Sequence, residues 1–219
     1  MYPWPTAEIA AALDRPVLPI VADEVRRRMA ASVYGPKLAD FLADFYSVAN
    51  GATFFDGAFR VLPLDGIEGE APGLLEWNDP TDWKEFAPAP ARTSFVFLSN
   101  AFGDLFGVPL DGTGDLARNT TTALWIEKHE QEESKLGWDQ IFPKLLKDEQ
   151  SMATFLARLQ EVAWAVPRFG HPGLHDCYSW ILPPIMGGPE TLDNLQVVSN
   201  YVHVSFTLQI LQKHLHPES

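Results

Sequence analysis

Three patterns in this sequence hold residue types that can do chemistry. The first is His171 and His175, followed at once by Asp176 and Cys177. Imidazoles four apart on a helix share a face and can ligate zinc. Pro172-Gly173 lies between them and argues against a regular helix, and the glutamate of an H-E-x-x-H pattern is missing. Ordinary polar loop residues are the simpler reading; a loop metal site is the alternative. The second pattern is Asp82-Trp83-Lys84, with Asp79 and Asp65 upstream. In metal-dependent nucleases two acids hold a cation and a lysine supports the attacking water. A D-x-K triplet is common by chance, and the acids around this one repel a nucleic-acid substrate. The third is the set Gly103, Gly107, Gly112 and Gly114. No lysine and Ser/Thr pair comes after them to close a phosphate cradle, so these glycines read as turn residues between strands. There is no G-x-S-x-G nucleophile elbow. Cys177 is the only cysteine; it has no assignable partner and reads as a small buried apolar residue. No catalytic residue, metal or cofactor is assigned.

What the chain has in excess is acid. Its 29 Asp and Glu against 16 Lys and Arg leave a net charge of −13. Such a surface repels DNA, RNA and anionic lipid and suits a basic partner; solubility alone also accounts for it. The acids cluster. Asp65, Glu68, Glu70, Glu76, Asp79, Asp82 and Glu85 succeed one another with Lys84 the only base among them, and Glu127, Glu130, Glu132 and Glu133 form a second group diluted by Lys128. These are solvated loops, or acidic faces that steer a basic protein. Trp77 and Trp83 sit inside the first cluster, as aromatic anchors of an interface or as core residues closing a sheet. A single cysteine excludes an intrachain disulfide and a multi-cysteine zinc site. The first residues lack the basic region and apolar run of a signal peptide, and no apolar stretch approaches ~18 residues, so a cytoplasmic location off the membrane is expected.

The elements that position these residues are set by periodicity. Thr6 caps a short helix through Leu13, and residues 17–33 hold a second helical pattern. Leu38, Phe41, Leu42, Phe45, Tyr46 and Ala49 form an i, i+3, i+4, i+7 stripe on a third helix, for which Asn50-Gly51 is a left-handed cap. Phe59–Leu64 reads as a strand. Pro72, Pro80, Pro88 and Pro90 punctuate a loop-rich stretch. Ser94–Leu98, Leu105–Leu110 and Ala123–Glu127 read as an antiparallel meander. Met152–Ala165 is helical, with Met152, Phe155, Leu156, Leu159, Val162 and Ala163 on one side, and is stopped by Pro167. Residues 168–189 form a Gly/Pro-rich segment. Leu192–Leu215 reads as one last helix buried through Leu195, Val198, Val202, Phe206 and Ile210. The expected class is α+β: N-terminal helices, a central antiparallel sheet, C-terminal helices. Residues 166–190 are the weakest join, so residues 1–165 and 166–219 are taken as two units that also fit one continuous domain.

Two resemblances sit on this frame. Residues 37–160 resemble a SUKH (Smi/Knr-like) domain: a helix ending ANG at Asn50-Gly51, the RVLPLDGI strand, EWNDPTDWK, the hairpin FVFLSNAFGDLFGVPLD around Gly103, the ALWIEKHE strand, and a helix holding SMATFLARL. Residues 167–203 are similar to the C-terminal domain of immunity proteins of type VI secretion DNase effectors, which pairs with a GAD-like N-terminal region. The shared positions fall on Gly173, Leu174, Tyr178, Pro183, Gly187, Gly188, Asn194, Leu195 and His203. His175-Asp176-Cys177 departs from the family pattern, and no contact is carried over there.

These resemblances imply an immunity protein that binds and neutralises a cognate bacterial toxin, a type VI nuclease above all, by covering its active site or substrate path. They imply no enzyme. The motif residues are structural: glycines and proline for turns, Asn194 as a cap or tie. The alternative is a SUKH-type intracellular scaffold. Trp77, Asp79, Asp82, Glu85, Asp104, Glu130 and Glu132 are the residues expected to contact a toxin with a basic face.

Overall fold

The computed structural model describes residues 10–11, 13, 19–68, 71–134, 136–137, 140 and 158–215. Six strands form one antiparallel sheet in chain order: β1 (Ala52–Phe54), β2 (Phe59–Val61), β3 (Ser94–Asn100), β4 (Leu105–Pro109), β5 (Thr121–Trp125) and β6 (Glu130–Ser134). Helices α1 (Ala22–Ala30) and α2 (Pro36–Tyr46) precede it. Helices α3 (Leu159–Phe169) and α4 (Asn200–Leu215) come after it, with a two-stranded sheet of β7 (Asp176–Trp180) and β8 (Leu195–Ser199) between them. The class is α+β, as expected.

The middle of the sheet is built by sequence that buries both faces. Every residue of β3 is buried, including Phe95, Val96, Phe97 and Leu98. The apolar stripe of α2 covers one face. Phe41 meets Phe97 edge-on at 5.3 Å between ring centres, and the Tyr46 hydroxyl donates to the Leu62 carbonyl at 2.6 Å. Pro36 opens α2, where its missing N–H costs no bond. The helix stops at Tyr46, so Asn50-Gly51 is not its cap. The pair instead forms the turn into β1, where Asn50 Oδ1 accepts the Leu64 N–H at 2.8 Å.

The C-terminal third departs from expectation. Of the expected 152–165 helix the described part is α3, which starts at Leu159 and runs through Pro167 to Phe169. A proline in the last turn forfeits one backbone bond but leaves the final residues of the helix in place. The Gly/Pro-rich segment contains β7, and the first residues of the expected last helix form β8. Gln196-Val197-Val198 pairs with Ser179, Tyr178 and Cys177 of β7, because β-branched neighbours favour a pleated surface with a partner beside it. Helix α4 starts only at Asn200, whose N–H donates to the His175 carbonyl at 2.8 Å. Its buried face is Asn200, His203, Val204, Thr207, Leu208 and Leu211. Val202 and Phe206, expected inside, are 59% and 63% exposed. The expected helix at Thr6–Leu13, and Met152, Phe155 and Leu156, lie mostly or wholly outside the described residues.

The core is continuous across residue 166. Tyr178, Trp180, Leu195, Val204 and Leu208 join the cluster that holds Phe59, Phe95 and Phe106. Asn78 ties the acidic loop to the sheet. Asn78 Oδ1 accepts the Val96 N–H at 2.8 Å, and its Nδ2 donates to the Val96 carbonyl at 2.8 Å and to the Leu74 carbonyl at 2.9 Å. It pairs with β3 as a neighbouring strand would. Asn78→Ala leaves both Val96 groups buried without these partners and is expected to cost roughly 2–4 kcal/mol in urea unfolding; a loss below about 0.5 kcal/mol contradicts the tie.

Candidate functional site

The two acidic stretches, far apart in sequence, adjoin in space. His129, in the turn that opens β6, places its Nε2 2.9 Å from the Phe86 carbonyl. That contact joins the end of the loop at Phe86 to the turn before Glu130. Glu76, Asp79 and Glu85 are exposed on the loop, and Glu130, Glu132 and Glu133 are exposed on β6. The strand is an edge of the sheet, and charge there also discourages edge-to-edge aggregation. Lys84, the one base in the loop, is turned inward. Its Nζ donates to the Ser94 carbonyl at 2.7 Å, and burial pushes its pKa down to about 8 against the pull of Asp79. The outer surface of the loop is therefore more acidic than its sequence suggests.

Asp82 is half-buried and accepts a hydrogen bond from the Tyr201 hydroxyl of α4. Burial, that bond and the charges of Asp82, Asp79 and Glu76 all raise the Tyr201 pKa. The loop thus lies against the first turn of α4, where Tyr201 also meets Trp77 edge-on at 4.9 Å. Asp79 holds its own turn by accepting the Thr81 N–H at 2.8 Å and the Thr81 hydroxyl at 2.6 Å. Asp65, at the loop's start, pairs with Arg28 and accepts from Asn50 Nδ2. Glu70 lies outside the described residues.

Two of the residues expected at the surface are buried. Trp77 is 3% exposed and its carbonyl accepts the Trp83 indole N–H at 2.7 Å, so both tryptophans close the sheet. Asp104 is 2% exposed. The β3–β4 turn is too short to project it outward. Asn100 Nδ2 donates to its Oδ2 at 2.9 Å, and its Oδ1 accepts the Ile126 N–H at 3.1 Å. Asp79, Asp82, Glu85, Glu130 and Glu132 remain as surface acids.

Asp104 belongs to a buried charge cluster centred on Arg158, which the sequence patterns did not single out. The guanidinium Nη1 lies 3.5 Å from Asp104 Oδ2 and 3.4 Å from Glu127 Oε2, and Nε lies 3.2 Å from Glu161 Oε1. The same group stacks on Phe102, 3.9 Å from the ring centre. A single cation faces two buried carboxylates, and burial dominates: it raises the Asp104 pKa and lifts Glu127 to about 7 despite Arg158. Burial lowers His203 to about 4, so that ring is neutral, and raises the Cys177 thiol. A cavity of about 350 Å³ adjoins the cluster, lined by Phe102, Arg158, Glu161, Trp164 and Trp180 among others. A carboxyl tuned near 7 can move protons, but Cys177 is buried and held as a thiol, which leaves no activated cysteine nucleophile there.

The remaining sequence patterns do not assemble into sites. Asp82 faces Tyr201 while Lys84 faces Ser94, so the D-x-K pair does not converge. Among the described residues no group of three or more His, Cys, Asp or Glu side chains is arranged to hold a metal ion. The residues that carry the two resemblances have structural work. Gly103 has a φ of 81°, and a β-carbon there collides with the His203 ring; one on Gly188 collides with the Leu182 carbonyl. Asn194 ties its loop by accepting the Leu182 N–H at 3.0 Å and donating to the Leu182 carbonyl at 2.7 Å and the Pro189 carbonyl at 2.9 Å. Tyr178 donates to the Gly170 carbonyl at 2.6 Å. Gly51 and Gly187 take positive φ, Pro183 accepts the Met186 and Gly188 N–H groups, and Gly173 sits against the Asp176 carboxylate.

No protein-family model matches this chain, and no curated protein matches it. A similar fold is found in the crystal structure of Atu4351 from Agrobacterium tumefaciens, with a TM-score of 0.59 and 14% identity over 95% of this chain and 89% of that one. At that identity the likeness concerns the fold alone.

The buried cluster has a pH signature. The folded protein keeps the Glu127 proton to higher pH than the unfolded chain. The associated stability is fully present below about pH 4.5 and is lost as pH rises through about 7. Glu127→Gln is expected to flatten that decline in a urea series across pH. Arg158→Met strands two buried carboxylates and is expected to cost roughly 3–5 kcal/mol at pH 8, and clearly less at pH 5, where Glu127 is protonated. Equal losses at both pH values contradict this placement of charge.

Proposed function

We propose that this chain is an immunity protein that binds a bacterial toxin inside the producing cell and blocks it. The observation that carries the reading is the meeting of the acidic loop and the acidic edge strand through His129 and Phe86. With Lys84 turned inward, these form a surface of carboxylates complementary to a basic protein. A nuclease is the partner this chemistry suits best. It must carry a basic groove to hold a polyanion, and an acidic inhibitor seated there occludes the substrate path. Complementary charge raises the association rate well above that of neutral pairs. The SUKH-like order of elements and the C-terminal segment similar to type VI DNase immunity proteins support the same reading, as does the net charge of −13. Glu85, Glu130 and Glu132 carry the steering, with Asp79 and Asp82 beside them. The proposed location is the cytoplasm; among the described residues no helix is long and apolar enough to cross a membrane. The competing reading, a SUKH-type scaffold, has no toxin partner.

The test uses, in a nuclease-inactive form, the purified product of the toxin gene that the immunity reading places beside this one. Wild-type protein is expected to bind it in the nanomolar range or tighter. A Glu85→Lys, Glu130→Lys, Glu132→Lys triple variant is expected to associate about 10-fold more slowly at low salt, with the gap closing at high salt as charges are screened. An unchanged association rate moves the interface away from this face. No binding by wild-type protein favours the scaffold reading.

A further inference from the structure

We infer that the outward face of α4, formed by Val202 and Phe206, is the apolar centre of the toxin-docking surface, and that a basic protein covers it. This rests on the immunity reading above and adds the place where the toxin's apolar contact is made.

The two residues are four apart and therefore share one helix face, about 6 Å apart along the axis. They are 59% and 63% exposed, on the side opposite the buried His203, Val204, Thr207, Leu208 and Leu211. Gln209 and Lys213 share that side, so its apolar area is confined to the exposed side chains of Val202 and Phe206. The surroundings of the uncovered side identify the occupant. Tyr201, the residue before Val202, donates its hydroxyl to Asp82 and packs on Trp77. The loop carrying Asp79, Asp82 and Glu85 therefore runs along the flank of the first turn of α4, and it continues through Phe86 and His129 to Glu130 on β6. An apolar centre with a charged rim is the layout of a protein interface. The flank beside Tyr201 carries carboxylates. A second copy of this chain sets carboxylate against carboxylate wherever the two rims meet, which costs free energy. A basic protein meets both parts of the surface favourably. Lys213, in the last turn of α4, lies about 16 Å along the axis from Val202 and marks the end away from the acidic rim.

The experiment titrates full-length protein against the nuclease-inactive product of the neighbouring toxin gene. Phe206→Asp and a Val202→Asp, Phe206→Asp double variant are compared with wild type, and Phe206→Ser serves as the variant that adds no charge. An added aspartate strengthens long-range attraction to a basic partner, so a loss of affinity reports lost apolar contact. The expected result is a Kd raised at least 10-fold in all three, mainly through faster dissociation, with an unchanged thermal midpoint. An unchanged Kd in these variants, while the Glu85, Glu130 and Glu132 reversals weaken binding, overturns the inference and leaves the immunity reading standing. A wild-type dimer that the double variant dissociates, again with unchanged toxin affinity, overturns it in favour of a second copy. Absence of toxin binding by wild type overturns both.

Discussion

The fold turns on the corner between β3 and β4, where Phe102-Gly103-Asp104 and its neighbours receive contacts from the C-terminal third. Phe102 packs on Tyr178 of β7, at 5.3 Å between ring centres, and under the guanidinium of Arg158, the residue that precedes α3. The Ala101 carbonyl accepts the Tyr178 N–H at 2.7 Å. Asn200 of α4 donates to Ser99 Oγ at 3.0 Å. His203 fills the space that a side chain on Gly103 would occupy. Asp104 anchors Arg158 and the end of β5 together. Any side chain at Gly103 must displace the His203 ring of α4. The corner thus seats the helix whose Tyr201 is tied to Asp82 of the acidic loop.

The cost of this arrangement is concentrated in one place. Burying Asp104 and Glu127 around a single arginine is expensive, because desolvation competes with attraction. The raised carboxyl pKa values show burial winning. What the cluster secures is register. It joins the β3–β4 turn, the residues after β5 and the start of α3, so the edge strand beyond β5 is held in a defined position. The exposed acids gain from this. Glu130 and Glu132 project from a paired strand, and the loop end at Phe86 is held to the turn before that strand through His129.

The sequence was legible where local pattern and burial agree. The stripe from Leu38 to Tyr46 could only be an amphipathic helix, and the apolar run from Phe95 to Leu98 could only be an inner strand. The small sheet was hidden because neither β7 nor β8 is stable without the other, and pairing across a Gly/Pro-rich loop leaves no periodic signal. Val197-Val198 was the available cue. The face of α4 was misread for a related reason: the stripe through Val198, Val202 and Phe206 is as regular in spacing as the buried one, and packing against the sheet decides between them. In the site, the exposed acids were readable from charge alone. The inward turn of Lys84, the burial of Trp77 and Asp104, and the role of Arg158 depend on contacts between distant residues that no spacing encodes. Arg158 is remote in sequence from both of its buried carboxylate partners, Asp104 and Glu127.

The structure thus offers an acidic face with the exposed Val202 and Phe206 of α4 near it and, among the described residues, no assembled metal site. An immunity role requires a toxin that this face neutralises. The most direct measurement is bacterial survival when the neighbouring toxin gene is expressed with and without this chain. The immunity reading predicts that the toxin alone kills and degrades cellular DNA, and that co-expression of this protein restores growth with the toxin still present. Death at the same rate in both cases, with both proteins folded and abundant, contradicts it.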